Sequence, residues 1–139
     1  KRIVWPSGDH EEWVLVDRSQ LIQVVHNLIQ NAQDAVDPVG GRVELKLESV
    51  GGGPAKVRLV ILDNGPGISA EAKARLFEPY FTSKAKGSGL GLAIVKKIVE
   101  ENNGKVSLNN CSDVWPDHGA GAVAIVEFAK LDHSAENSN

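Results

Sequence analysis

The sequence predicts an α+β fold: a two-layer α/β sandwich in which a mixed, mainly antiparallel sheet of about five strands carries three helices on one face. Three observations predict it. Short apolar segments at strand spacing fall in adjacent pairs, and the middle pair is joined by a glycine-rich turn. Longer segments repeat apolar residues at helical spacing. The resulting order, ββαββααββ, begins and ends on strand pairs, which argues against a parallel doubly wound sheet.

The elements follow in order. KRIVW at the start predicts a short strand, and Glu11 to Val16 a second. Asp17 to Ser19 supply capping side chains for a long helix over Ser19 to Val36. Asp37-Pro38 and Gly40-Gly41 end that helix. Arg42 to Ser49 alternates apolar and polar residues, as a half-buried strand does. After GGGP, Lys56 to Leu62 is more uniformly apolar and closes a hairpin. Asp63 to Ile68 is a loop. Ser69 to Leu76 is a short helix with Ser69 as N-cap and with Ala72 and Leu76 on one side. Glu78 to Gly89 has no periodicity and reads as a loop. Leu90 to Asn102 is a helix stopped by Asn103-Gly104, and Lys105 to Asn109 and Ala122 to Phe128 are strands. The polar stretch between those two strands, with Trp115-Pro116, reads as a longer loop.

Composition narrows the function. The chain has 139 residues, 42% of them hydrophobic, enough for one domain with a real core; that domain is expected over 1–130, with 131–139 as a flexible tail. No window reaches membrane-span length. The net charge is −3, and Lys and Arg are dispersed among acids, so no nucleic-acid surface is expected. Cys111 is the single cysteine, which excludes a disulfide framework and suggests a reducing compartment. Methionine is absent, so the chain reads as a piece of a longer protein.

Three segments carry candidate chemistry. At about 100° per residue, Leu21, Val24, Val25, Leu28, Ile29, Ala32 and Val36 form one apolar stripe on the first helix. Asn27, Asn31 and Asp34 share a strip beside it. Amide and carboxylate oxygens on such a strip can hold a hard cation such as Mg²⁺, directly or through water; taken alone, an ordinary solvated flank is the better reading of the strip. Asp63 ends a buried strand and is followed by Asn64, Gly65 and Gly67. A carboxylate fixed there can accept from an amino group such as the exocyclic amine of adenine, or the stretch is simply a good turn. Gly87, Gly89 and Gly91 precede the last helix. They match neither the P-loop nor the dinucleotide fingerprint in spacing. Free N–H groups at a helix N-terminus still attract phosphate, and Lys84 and Lys86 lie just upstream; a flexible helix start is the alternative.

NLIQNAQDA, DNGPGI, FEPYFTSK and GSGLGLAIVKKIV occur in this order. Together they resemble the N, G1, F and G2 boxes of the ATP-binding catalytic domain of sensor histidine kinases. That domain belongs to the Bergerat-type (GHKL) ATPase superfamily, with DNA gyrase B, MutL and heat-shock chaperones. The resemblance runs from about Trp13 to Phe128. It implies the Bergerat fold, with ATP and Mg²⁺ as cofactors. Asn31 is similar to the asparagine that coordinates Mg²⁺, and Asn27 to its neighbour near the phosphates. Asp63 is similar to the adenine-reading carboxylate, with Gly65, Gly67 and Ile68 at that wall. Phe77 and Phe81 match the F box, followed by Thr82 and Ser83. Lys84 to Ser88 would be a short lid, with Gly87, Gly89 and Gly91 as its hinge and Leu90 and Leu92 beside the phosphates. The resemblance thus makes Asn27, Asn31 and Lys84 the catalytic residues, and it adds Asp34, Phe77, Phe81, Thr82, Ser83, Ser88, Leu90 and Leu92 to the nucleotide contacts.

Two departures matter. Many such kinases carry lysine three residues after the Mg²⁺ asparagine, where this chain has Asp34, so Lys84 or Lys86 would have to meet the phosphates. Hydrolysing members carry glutamate where this chain has Asn27, and an amide cannot be a general base. The short lid and KGSGLGLAIVKKIVEE resemble the nitrogen-regulation type most. The implied activity is transfer of the γ-phosphoryl group to a histidine on an upstream dimerisation domain, and from there to the receiver domain of a response regulator. His10-Glu11 superficially resembles an acceptor pair but sits in a turn, so the acceptor is expected outside the chain. The implied location is cytoplasmic, with no membrane contact by this segment and room for an inner-membrane anchor elsewhere in the parent protein. A hydrolysing ATPase and a non-enzymatic module with a degenerate site are the alternatives.

Overall fold

The computed structural model describes residues 2–4, 14–51, 55–81 and 90–130. Its elements are β1 (Arg2–Val4), α1 (Arg18–Ala35), β2 (Arg42–Val50), β3 (Lys56–Asp63), α2 (Ala70–Lys73), α3 (Gly91–Glu101), β4 (Lys105–Asn110), α4 (Cys111–Val114) and β5 (Ala122–Ala129). The strands form one sheet in the order β1-β2-β3-β5-β4. β1 runs parallel to β2, and every other pairing is antiparallel. The α+β sandwich with a mixed, mainly antiparallel sheet is therefore as expected.

Strand periodicity sorts the sheet into two faces. Val43, Leu45, Ile61, Ala124, Val126 and Phe128 point to the side covered by α1 and α3. The stripe on α1 supplies Val24, Leu28, Ala32 and Val36 to the same cluster, and α3 supplies Val95, Ile98 and Val99. Each helix has one well-made end where the sequence predicts it. Asp17 caps α1 by accepting from the Gln20 N–H at 2.9 Å. At the far end of α3, Asn103 takes a left-handed φ of 61°, and the Gly104 N–H reaches back to the Val99 carbonyl at 2.8 Å. The Asn102 side chain ties that end to α1, donating to the Gln20 side chain at 3.0 Å.

Three details differ from the sequence reading. The expected strand over Glu11 to Val16 shows only an isolated bridge from Val14 to Lys130, and residues 11–13 lie outside the described ones. The helix expected over Ser69 to Leu76 is α-helical only through Ala70–Lys73, capped by Ser69 as expected. Beyond it the bonds tighten to i→i−3, from Arg75 to Ala72 and from Glu78 to Arg75. The polar stretch before β5 contains the one-turn helix α4. It covers the opposite sheet face, where Cys111 is buried with Val60, Leu62 and Val123, and Trp115 packs beside them. A single buried cysteine among Ser112, Asp113 and Asn110 gives no periodicity to read.

Candidate nucleotide site

Asp63 is the last residue of β3 and is 6% exposed, the single charged side chain in the core among the described residues. Its Oδ1 accepts two backbone N–H bonds, from Gly65 at 2.9 Å and Ala122 at 3.2 Å. Both bonds fall on the same oxygen, and Asp63 lines a cavity. Burial raises the Asp63 pKa above the ordinary carboxylate value, and the two N–H bonds oppose that rise. Burial also raises the Cys111 thiol, helped by the nearby Asp63 charge.

The loop after Asp63 is fastened on both sides. The Asn64 side chain accepts from the Arg42 N–H at 2.8 Å and donates to the Gly40 carbonyl at 3.0 Å. The Asn110 side chain accepts from the Ile68 N–H at 2.6 Å and donates to the Ile68 carbonyl at 2.9 Å. Glycine is required at two points. A Cβ at Gly65 would stand 2.5 Å from the Ala35 carbonyl oxygen. Gly67 has φ +85°, and a Cβ there would meet the Asn110 side chain.

The cavity beside this loop has a volume of about 260 Å³. It is lined by Asn31 and Ala35 from α1, Asp63, the Gly67–Ser69 segment, Ala72 and Leu76, and Leu108 and Ala122 from the β4–β5 hairpin. The walls are mainly apolar, with a few polar groups, as small-molecule sites usually are. Of the α1 strip, Asn31 reaches the cavity. Asn27 is half-buried, and its amide donates to the Gly91 carbonyl at 3.5 Å. Asp34 is exposed, accepts from Gln30 at 3.0 Å and does not line the cavity. The helical angle explains this. Ala35 lies about 40° from Asn31 towards the core, whereas Asp34 lies about 60° away on the solvent side.

Phe77 packs on the core with Lys96 Nζ 5.8 Å from its ring centroid. Phe81 lies under the Arg75 guanidinium at 4.7 Å, and Arg75 also pairs with Glu78 at 2.7 Å. Between them Tyr80 is 78% exposed with φ +66°, a left-handed conformation unusual for a bulky residue. α3 begins at Gly91, and the side chain of its N-cap residue, Leu90, makes no capping hydrogen bond. A Cβ at Gly91 would meet nothing within 4 Å among the described residues beyond its own helix and chain neighbours, so they do not demand glycine there. Leu92 packs against the core. Thr82, Ser83, Lys84, Lys86, Gly87, Ser88 and Gly89 lie outside the described residues.

Sequence reasoning missed Ala35, Ser69, Ala72, Leu76, Leu108 and Ala122 as lining residues, and Asn110 and Gly121 behind them. Ala35 carried a signal, being four residues beyond Asn31 on the same strip. Leu108 and Ala122 reach the cavity only because β4 lies beside β5. The described residues contain no group of three or more His, Cys, Asp or Glu side chains that could hold a metal by themselves. Their helices include none long and apolar enough to cross a membrane.

Comparisons with known proteins agree with this geometry. Residues 16–132 match the family described as histidine kinase-, DNA gyrase B-, and HSP90-like ATPase. The C4-dicarboxylate transport sensor protein DctB of Rhizobium meliloti (strain 1021) is 42% identical over 97 residues, covering 69% of this chain and 15% of that protein. The nitrogen regulation protein NtrY of Azorhizobium caulinodans is 39% identical over 103 residues, covering 70% of this chain and 13% of that protein. This chain thus spans a small part of those relatives' length. Among solved structures, a mycobacterial sensor histidine kinase, MprB, superimposes with a TM-score of 0.77 at 32% identity, covering 92% of this chain and 82% of that one. The histidine kinase ThkA, solved in complex with the response regulator protein TrrA, superimposes with a TM-score of 0.70 at 32% identity, covering 93% and 34%. The chain belongs to the histidine kinase-, DNA gyrase B-, and HSP90-like ATPase family, and within it resembles the catalytic domains of sensor histidine kinases.

Proposed function

We propose that this domain binds Mg·ATP and donates its γ-phosphoryl group to a histidine on a separate dimerisation domain of the parent protein, the first step of two-component signalling. The observation that carries the reading is Asp63: a buried carboxylate on the wall of a mainly apolar cavity, with one oxygen fixed by backbone N–H groups. Such a carboxylate suits the exocyclic amine of adenine, and Ile68, Ala72, Leu76 and Leu108 offer apolar contact to the ring.

The phosphates would extend from this cavity towards the start of α3, where helix N–H groups and the helix dipole favour an anion and the N-cap residue Leu90 brings no capping side chain. The open space at Gly91 supports close approach there. Asn31 and Asn27 offer amide oxygens to a Mg²⁺ held mainly by phosphate oxygens and water, which fits a site without an acidic cluster. When bound, Mg²⁺ neutralises charge on the phosphate oxygens. Lys84, by sequence, is the lysine assigned to the phosphates. The protein's part is positioning and electrostatics, as for phosphoryl transfer in general. Asn27 cannot act as a base, so rapid hydrolysis is not expected. ThkA in complex with a response regulator supports a receiver domain as the eventual phosphoryl recipient. The location consistent with this role is cytoplasmic.

Titration calorimetry with Mg²⁺ and a non-hydrolysable ATP analogue tests the binding step, and absence of heat at millimolar ligand would overturn it. Mixing the chain with the parent's dimerisation domain and ATP tests the transfer. Acid-labile, base-stable phosphate on that domain is the expected product; rapid release of free phosphate without it would favour a hydrolase instead.

A further inference from the structure

Asn110 ends β4 and occupies the N-cap position of α4, yet it makes no capping bond to that helix. An asparagine there ordinarily spends its side-chain oxygen on the helix's own N–H groups. Here both amide atoms engage the backbone of one distant residue instead. Oδ1 accepts from the Ile68 N–H at 2.6 Å, and Nδ2 donates to the Ile68 carbonyl at 2.9 Å. The side chain thus stands in for a strand partner to a loop that has none. The same residue is paired across the sheet with Ala122, whose N–H holds Asp63 Oδ1 at 3.2 Å. One rung of the β4–β5 hairpin therefore fixes both the polar and the apolar side of the cavity. Gly67 is also fitted to it: a Cβ there would stand 2.5 Å from Asn110 Oδ1.

We infer that Asn110 is a positioning residue for the nucleotide base, holding Ile68 at the distance from Asp63 that admits a purine. The inference rests on the proposed adenine site at Asp63. Asn110 need not touch the nucleotide. Without its amide pair, the Gly65–Ile68 backbone is free to drift, and the base loses its wall while the phosphate end of the site is unchanged.

The test is affinity for a ligand with a base against one without. A non-hydrolysable ATP analogue and inorganic tripolyphosphate, each with Mg²⁺, are titrated into the wild-type chain and into Asn110→Ala, Asn110→Ser and Asp63→Asn. Misplacing the wall should weaken the ATP analogue about tenfold in both Asn110 variants. Tripolyphosphate affinity should stay at the wild-type value. Serine is a good N-cap, so Asn110→Ser preserves the start of α4 and carries the test if Asn110→Ala fails to fold. Recovery of wild-type ATP-analogue affinity in Asn110→Ser, or equal loss of both ligands, would overturn the inference, leaving Asn110 as a purely structural residue. If Asp63→Asn weakens the ATP analogue and the Asn110 variants do not, this inference alone falls. If Asp63→Asn binds it like wild type, the adenine site itself falls and Asn110 with it.

Discussion

The two ends of the site are built in opposite ways. At the Asp63 end, side-chain amides of Asn64 and Asn110 hold the loop, two N–H groups hold the carboxylate, and glycines fit where a Cβ would collide. At the α3 end, among the described residues, the N-cap residue Leu90 makes no side-chain capping bond, a Cβ at Gly91 would meet nothing within 4 Å, and Asn27 makes one long bond at 3.5 Å. The first region is held in place without a ligand. The second is where a ligand would meet helix N–H groups. A buried carboxylate must be held before it is desolvated, because an unsatisfied one is costly. N–H groups near the surface can wait, because water serves them meanwhile.

Substitutions should separate the two ends, and the largest effect belongs to the built one. Gly121 has φ +138°, and a Cβ there would collide with the Asp63 carbonyl oxygen. Gly121→Ala should therefore cost about 3 kcal/mol or more in chemical denaturation. Asp63→Asn comes next, but in affinity: loss of the charged acceptor should weaken the ATP analogue by about 1.5–3 kcal/mol, read by calorimetry. The same change should leave stability at neutral pH unchanged or raised, since it removes a buried charge. The pH dependence carries the same sign. The folded state holds the Asp63 proton to higher pH than the unfolded chain, whose value is near 3.8. It therefore binds more protons in that window, and the Asp63 contribution to stability falls as pH rises through it. Unfolding curves of wild type and Asp63→Asn across that range should converge at low pH and diverge above it. Asp17→Ala, far from both ends, should cost about 1 kcal/mol of stability and leave nucleotide affinity unchanged. Smallest is Gly91→Ala. It should stabilise by about 0.5–1 kcal/mol, because the added methyl meets nothing and favours helix. If a phosphate approaches there, the same methyl should weaken the ATP analogue.

These contrasts also mark what was legible in the sequence. The two long helices, the β2–β3 hairpin and the closing strands carry strong periodicity, and Asp17, Ser69 and Asn103-Gly104 cap or stop helices as their types require. Asn31, Asp63, Gly67 and Ile68 could be nominated because each sits in a motif with its own local chemistry. Asp34 shares a strip with Asn27 and Asn31, but it is exposed and the helical angle carries it away from the cavity lining. Asn110, Leu108, Ala122 and Gly121 were not legible. Their roles exist only across the pairings of β4 with β5 and β5 with β3, and no local pattern announces which distant backbone an asparagine will hold. α4 was hidden because one buried cysteine in a polar turn has no period.

The central claim is that the base end is preformed and the phosphate end is completed by its ligand. Amide hydrogen exchange, with and without a Mg²⁺-bound non-hydrolysable ATP analogue, tests it most directly. The account predicts that the Gly65, Ile68 and Ala122 amides are protected before ligand is added and change little afterwards. It predicts that the Gly91, Leu92 and Ala93 amides, which precede the first intrahelical bond from Ile94 to Leu90, exchange fast and become protected on binding. Fast exchange at Gly65, Ile68 and Ala122 in the free chain, or no ligand protection at the start of α3, would contradict it.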